Sequence, residues 1–274
     1  MQAAYDSIAN WYDAWVRDQT SVDNTTVSTF LDFIGAVDNQ LICDVACGQG
    51  RIARELAQKK ARVVGIDISS QLIEIAQREE QQLGLGIQYL LDDAQKLAQL
   101  DDCSFDGATS YLALMDIPDL EALCHAVYRI LRPRGWFWFA ITHPCFESPH
   151  SQWRTDAAGK VSLEVTQYFT EGFWQSANSN RIRGILGAYH RKLSTYINTL
   201  IGTGFEIKQI CEPEATQVAI ERVPGCGIVP TILFISCEKK HYSNQYLRQK
   251  YDWQKDFCRQ RFQSNKILNL SATR

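Results

Sequence analysis

Apolar residues recur along this chain in two rhythms. Near the start, Tyr5, Ile8, Trp11, Tyr12 and Trp15 fall three or four apart, the spacing of one helix face, so residues 1–35 are expected to be helical. Short apolar runs then alternate with amphipathic stretches. Leu41–Val45 is a strand-length run that ends in the loop Ala46-Cys47-Gly48-Gln49-Gly50, and Ile52, Ala53, Leu56 and Ala57 mark a helix behind it. Arg62–Asp67 reads as a second strand ending on an acid. Ser69 or Ser70 can cap the next helix, whose apolar stripe is Leu72, Ile75 and Ala76. Residues 87–91 form a third strand, followed by Asp92 and Asp93, and residues 105–114 contain a fourth.

Leu120, Leu123, Val127, Ile130 and Leu131 define a helix stopped by Pro133 and Gly135, before a fifth strand at 136–142. Leu193, Ile197, Leu200 and Ile201 mark a late helix ended by Gly202 and Gly204. Residues 205–210 and 229–237 are the last two strands, and with only a loop between them they are expected to pair antiparallel. Seven strands separated mostly by helices predict an α/β fold: a Rossmann-like, seven-stranded mixed sheet, last strand antiparallel, with helices on both faces. Two segments break the rhythm. Residues 144–189 are aromatic without clean periodicity, and residues 241–274 hold seven Lys/Arg against two Asp. We therefore divide the chain into an N-terminal helical cap (1–40), a cofactor-binding half (41–143), an inserted cap (144–189), the rest of the sheet (190–240) and a basic helical tail (241–274).

An apolar content of 45% with 22% charged residues excludes a disordered or collagen-like chain. A net charge of -3 argues against a nucleic-acid binder acting through bulk charge. No run approaches the roughly 18 apolar residues of a membrane helix. The first residues lack a basic stretch and an apolar core, so no signal peptide is expected. Nine Cys, scattered through strands and helices, suit reduced thiols in a cytoplasm. The Cys43-x3-Cys47 pair has no partner pair or His cluster, so no metal site is expected. The 30 aromatics, 11% of the chain, invite the question of where they sit, and the sequence places many in the N-terminal group and in 144–189.

Gly48-Gln49-Gly50-Arg51-Ile52-Ala53 fits G-x-G-x-x-A, and Asp67 closes the next strand. This arrangement serves any nucleoside cofactor laid across the carboxyl edge of a sheet. The glycines let backbone approach the ligand, the helix N-terminus offers free N–H groups, and the acid accepts from two ribose hydroxyls. It does not by itself separate NAD from S-adenosylmethionine. Asp44, just before the loop, would repel a pyrophosphate but hold a cationic amino group. Asp93 can accept from an adenine amino group. Three acids at three consecutive strand ends suit a cofactor with no phosphates; the alternative for each is to cap the helix that follows.

With these pieces in order, the sequence resembles the class I S-adenosylmethionine-dependent methyltransferases. The matching motifs are Asp44-Val-Ala-Cys-Gly-Gln-Gly50, Val64-Gly-Ile-Asp67, Asp93-Ala94, Ser104-Phe-Asp106 and Ile130-Leu-Arg-Pro-Arg-Gly135, spread over residues 5–237. Ala46 departs from a commoner Gly and fits if its φ stays negative. The family's Tyr-Asp-x-Ile-Ala-x-x-Tyr-Asp opening stands at residues 5–13. The resemblance implies that this helix closes over the cofactor with Tyr12 near it. It also implies a cofactor set of Tyr12, Asp44, Ala46, Gly48, Gly50, Asp67, Ile68, Asp93, Ala94 and Tyr111. The implied reaction is methyl transfer by in-line displacement, where the protein supplies positioning and desolvation. The alternatives are an NAD-dependent oxidoreductase and a cofactor-binding module without catalysis.

For a general base, His143 follows the fifth strand in His143-Pro-Cys-Phe146, a segment similar to one in some small-molecule members of that family, as is His190-Arg-x-Leu-Ser-x-Tyr196. His143 reads either as a base or as a turn histidine bonding backbone, and His190 as a base or a helix cap. Asp116, after the fourth strand, would hold a cationic amine or begin the next helix. His143–Phe146 does not fit the Asn/Asp-Pro-Pro-aromatic motif of nucleic-acid amino-methyltransferases, which follows the fourth strand. The family inserts substrate caps where 144–189 stands, and Phe146, Trp153, Tyr168, Phe173 and Trp174, with Tyr5 and Trp11, are the candidate acceptor contacts. The other reading of that insertion is an auxiliary core or a dimer contact. A small-molecule acceptor is expected, with no nucleic-acid or membrane partner; monomer and homodimer both stay open.

Overall fold

The computed structural model describes residues 3–17, 26–147, 149, 151–178 and 182–240. The described residues up to Lys239 form one compact unit. The basic tail at 241–274 lies outside the described residues.

After a 3-10 turn at Ala4–Ile8 come helices α1 (Ala9–Arg17) and α2 (Val27–Ile34). The α/β alternation then runs β1 (Leu41–Val45), α3 (Arg51–Gln58), β2 (Arg62–Asp67), α4 (Ser70–Leu83), β3 (Gln88–Leu91), β4 (Phe105–Tyr111), α5 (Leu120–Ile130) and β5 (Leu131–Thr142). The insertion holds β6 (Gln152–Thr155), β7 (Val161–Glu164), β8 (Gly172–Trp174), α6 (Ile182–Ile185) and β9 (Ala188–His190), and past it lie α7 (Leu193–Thr203), β10 (Phe205–Cys211), α8 (Gln217–Arg222) and β11 (Ile232–Lys239). The sheet order is β10-β11-β5-β4-β1-β2-β3, with β11 antiparallel to both neighbours. This is the seven-stranded mixed sheet expected from the sequence.

The apolar runs reflect burial on both faces. In β5, Phe137, Phe139 and Ile141 enter the core under α5 and α7, while Trp136, Trp138 and Ala140 face the core under α2 and α3. Phe30, Phe137, Phe139, Phe205 and Phe234 are wholly buried. The aromatic surplus is therefore not confined to the sheet edge, as the sequence suggested; the core holds a second concentration.

Several elements differ from the expectation, among them the last strand, which runs Ile232–Lys239 rather than 229–237. β5 begins at Leu131, because the helix stop leaves Leu131 extended and paired with Phe105 before the register shifts. The link between β10 and β11 is not only a loop: Thr216 caps α8, its side chain accepting from the Ala219 N–H at 3.3 Å. The aperiodic insertion holds two small hairpins. β6 (Gln152–Thr155) pairs with β7 (Val161–Glu164), and β8 (Gly172–Trp174) pairs with β9 (Ala188–His190), with a one-turn helix α6 (Ile182–Ile185) between the latter two. No helix among the described residues is long and apolar enough to cross a membrane.

Candidate active site

The carboxyl ends of β1, β2 and β4 open onto a cavity of about 1740 Å³. Asp67 organises one side of it. Its Oδ2 accepts from the Gly48 N–H and its Oδ1 from the Ser69 N–H, each at 2.8 Å, so one carboxylate fixes both the glycine loop and the start of α4. Burial raises the Asp67 pKa, and these backbone donors oppose the shift. Ser69 caps α4 by accepting from the Leu72 N–H. Asp93 holds the next strand end. Burial works against its charge, yet hydrogen bonds from Gln95 and the Lys96 ammonium keep its pKa below the ordinary value. It thus caps its own turn and faces the cavity as well.

Asp44 is different. It is 1% exposed, burial pushes its pKa up to about 8, and the Ala53 N–H only partly offsets this. Its Oδ2 is buried with no hydrogen-bond partner among the described residues. An orphaned carboxylate oxygen at a cavity wall is costly unless a ligand satisfies it. A cationic amino group fits that oxygen; a phosphate does not.

The loop itself departs from expectation at Ala46, whose φ is +56° rather than negative. Leu112, also at the cavity, has φ +54°. Strained non-glycine backbone gathers at such sites. Left-handed geometry costs an L-residue about 1–2 kcal/mol. Ala46→Gly is accordingly expected to raise stability by about 1 kcal/mol, some 2 °C in a thermal melt. A lowered Tm would contradict the strain assignment. Gly50 does not line the cavity: it ends the loop at φ +83°, and a Cβ there would lie 2.3 Å from the Tyr89 hydroxyl.

The N-terminal helix walls the cavity with Tyr5, Trp11, Tyr12 and Trp15. Tyr12 lies over the loop, 3.8 Å from where a Gly48 Cβ would stand, and Tyr5 packs edge-on against it at 5.2 Å. Ile68, Ala94 and Tyr111 complete this half. Opposite them, the insertion contributes Phe146, Trp153, Phe173 and Trp174.

Between the halves sits Asp116. It does not begin α5, which Asp119 caps through the Ala122 N–H. Its Oδ2 accepts from the Tyr5 hydroxyl at 2.8 Å, and its Oδ1 pairs with the Arg183 guanidinium. Burial raises the Asp116 pKa while Arg183 and Tyr5 oppose it. Burial and the Asp116 charge push the Tyr5 hydroxyl well above its ordinary range, so it remains a donor.

Besides Gly50, three residues singled out from the sequence do not line the cavity. His143 is 2% exposed. Its Nε2 bonds Glu212 Oε1 at 2.8 Å, its Nδ1 accepts from the Cys145 N–H at 3.2 Å, and burial lowers its pKa. The Cys145 bond is a turn contact to backbone, the kind the sequence offered as one alternative for His143. His190 ends β9 with Nε2 on the Tyr168 carbonyl at 2.8 Å, and Lys192, not His190, precedes α7 as its cap. Tyr168 accepts from the Leu193 N–H at 2.9 Å and supports the insertion from behind. The sequence reading missed Arg183; its separation of 67 residues from Asp116 left no local signal. Among the described residues no group of three or more His, Cys, Asp and Glu is placed to hold a metal.

A glycine loop, strand-end acids and an open carboxyl edge define a nucleoside-cofactor-binding α/β protein. The family model described as "Methyltransferase domain" matches residues 43–139. A crystal structure of an S-adenosylmethionine dependent methyltransferase from Mesorhizobium loti is similar, with TM-score 0.68 and 28% identity over 78% of this chain and 97% of that one. One of a putative S-adenosylmethionine dependent methyltransferase from Listeria monocytogenes has TM-score 0.65 and 27% identity, covering 78% and 97%. A ubiquinone biosynthesis O-methyltransferase of Paracidovorax citrulli is 31% identical over 112 residues, 40% of this chain and 47% of that enzyme, so the match spans about half its length. Residues 43–139 thus match a methyltransferase domain, and these similarities support a class I S-adenosylmethionine-dependent methyltransferase, for which the implied cofactor is S-adenosylmethionine.

Proposed function

We propose that the protein transfers the methyl group to an oxygen or nitrogen of a small, apolar or aromatic acceptor. One observation carries this reading. The 1740 Å³ cavity exceeds the roughly 300–1,000 Å³ of an ordinary ligand site and has two unlike halves, one of strand-end acids and one of insertion aromatics. That is room for a nucleoside cofactor and an acceptor side by side. The similarity to the Paracidovorax O-methyltransferase favours oxygen.

In this reading Asp44 holds the cofactor's amino group, Asp67 the ribose hydroxyls, and Asp93 with Ala94 the adenine edge. Ile68, 57% exposed, offers an apolar face to the base. Ala46 and Gly48 supply close backbone, with Tyr12 and Tyr111 as walls. The bound cofactor supplies an electrophilic methyl group on a sulfonium centre. The chain's share is to hold a nucleophile in line and exclude water. Phe146, Trp153, Phe173 and Trp174, with Trp11, supply the apolar enclosure. Asp116, held by Arg183 and Tyr5, is the carboxylate placed to accept a proton from an acceptor hydroxyl. His143 and His190 act from outside the cavity, His143 by packing against Phe146 at 4.7 Å between ring centres. The eight free thiols among the described residues suit a reducing cytoplasm.

The test is incubation with methyl-labelled S-adenosylmethionine and separate panels of hydroxylated aromatics and amines. Label is expected in a hydroxylated aromatic product. Turnover confined to a protein or nucleic-acid acceptor would overturn the small-molecule reading.

A further inference from the structure

Three chain segments separated by more than sixty positions meet on the Asp116 carboxylate. Tyr5 brings the N-terminal segment to Oδ2, and Arg183 brings the insertion to Oδ1. The paired side chains of Arg183 and Asp116 are only 20% and 16% exposed, so water screens them less than a surface pair. Each neighbour extends the connection. Beside Tyr5, Asp6 accepts from the Ser69 hydroxyl at 2.6 Å, and the Ser69 N–H donates to Asp67. On the other side, Arg183 also donates to the Gly187 carbonyl at 3.3 Å. Gly187 has φ +71°, and a Cβ there would lie 2.3 Å from the Phe173 ring, so its backbone sets where that aromatic wall stands. A continuous run of bonded groups therefore joins the ribose-side acid Asp67 to the acceptor-side hairpin of β8 and β9.

We propose that Tyr5 and Arg183 are positioning residues that seat the Asp116 carboxylate over the acceptor and lock the N-terminal segment to the insertion, so that filling the cofactor half of the cavity orders the acceptor half. This rests on the methyltransferase reading above. Asp116 is the shared element: each covering segment reaches it through its own carboxylate oxygen, so removing either Tyr5 or Arg183 breaks the connection between the two segments while the other's bond to Asp116 remains. Binding at Asp67 then stiffens the Asp6–Tyr5 turn first and the Arg183 turn through it, which favours cofactor entry before acceptor. Coupling of this kind is demonstrated by an observable at the distant segment rather than by the connection itself.

The experiment is amide hydrogen exchange with and without saturating S-adenosylhomocysteine, on the whole chain. In the wild type, residues 182–190 are expected to exchange at least about threefold more slowly with the ligand bound. Tyr5→Phe removes one hydroxyl and keeps the ring against Tyr12; at saturating ligand it is expected to lose that protection while residues 46–52 keep theirs. Arg183→Gln is expected to behave likewise, and Arg183→Lys to restore part of the protection. Undiminished protection of 182–190 in both Tyr5→Phe and Arg183→Gln overturns the proposal, as does a wild type that binds the ligand without protecting 182–190. A wild type that does not bind S-adenosylhomocysteine at all overturns the methyltransferase reading, and this proposal with it.

Discussion

Asp67→Ala is expected to weaken S-adenosylhomocysteine binding by about 3 kcal/mol, roughly a hundredfold or more in Kd. Two losses combine. The ribose hydroxyls lose a charged acceptor, and the Gly48 and Ser69 N–H groups, each 2.8 Å from this carboxylate, lose theirs. The glycine loop and the start of α4 are then no longer held by one group, so the cofactor must order them on binding. Asp67→Asn keeps one acceptor oxygen and should fall between wild type and Asp67→Ala. Titration calorimetry at a temperature where both variants are folded reads the effect. An affinity within about threefold of wild type would show that the acid only caps α4 and does not bind the nucleoside.

The sheet and the strand-end acids were legible in the sequence for one reason: both are local. A parallel strand buried on two faces shows itself as a short apolar run, and Asp44, Asp67 and Asp93 are placed by standing at or just beyond the ends of such runs. What was not legible depends on direction or distance. Strand-end position alone put His143 at the edge, but side chains alternate along a strand. Thr142 faces the cavity, so His143 turns away and is taken by Glu212. His190 sits on a three-residue strand too short to display alternation. The insertion's hairpins, three or four residues a strand, give no periodic signal. Nothing local links Arg183 to Asp116. The left-handed Ala46 is hidden for another reason: the tight loop imposes its φ, and the residue itself only tolerates it.

Asp44 makes the second large prediction, a binding affinity that depends on pH. Burial pushes its carboxyl up to about 8, so below that pH the free protein holds a proton there. A cationic amino group beside the orphaned Oδ2 favours the ionised form, so binding must release that proton. The affinity for S-adenosylhomocysteine is therefore expected to rise with pH by up to about tenfold per unit between about 6 and 8, then level off. Calorimetry in two buffers of different ionisation heat should detect close to one proton released per ligand near pH 6.5. The stability of the free protein moves in the opposite direction. Between the ordinary carboxylate range and pH 8 the folded chain keeps a proton that the unfolded chain has lost, so Asp44 makes stability fall as pH rises. Asp44→Asn should remove both slopes together, flattening the melting temperature against pH while abolishing proton release on binding. The amide also loses the charge that holds the amino group, so affinity should drop most at pH 8, where wild type binds best. Affinity independent of pH in the wild type would mean that Asp44 keeps the same protonation state on binding, so that the amino group does not drive off a proton there.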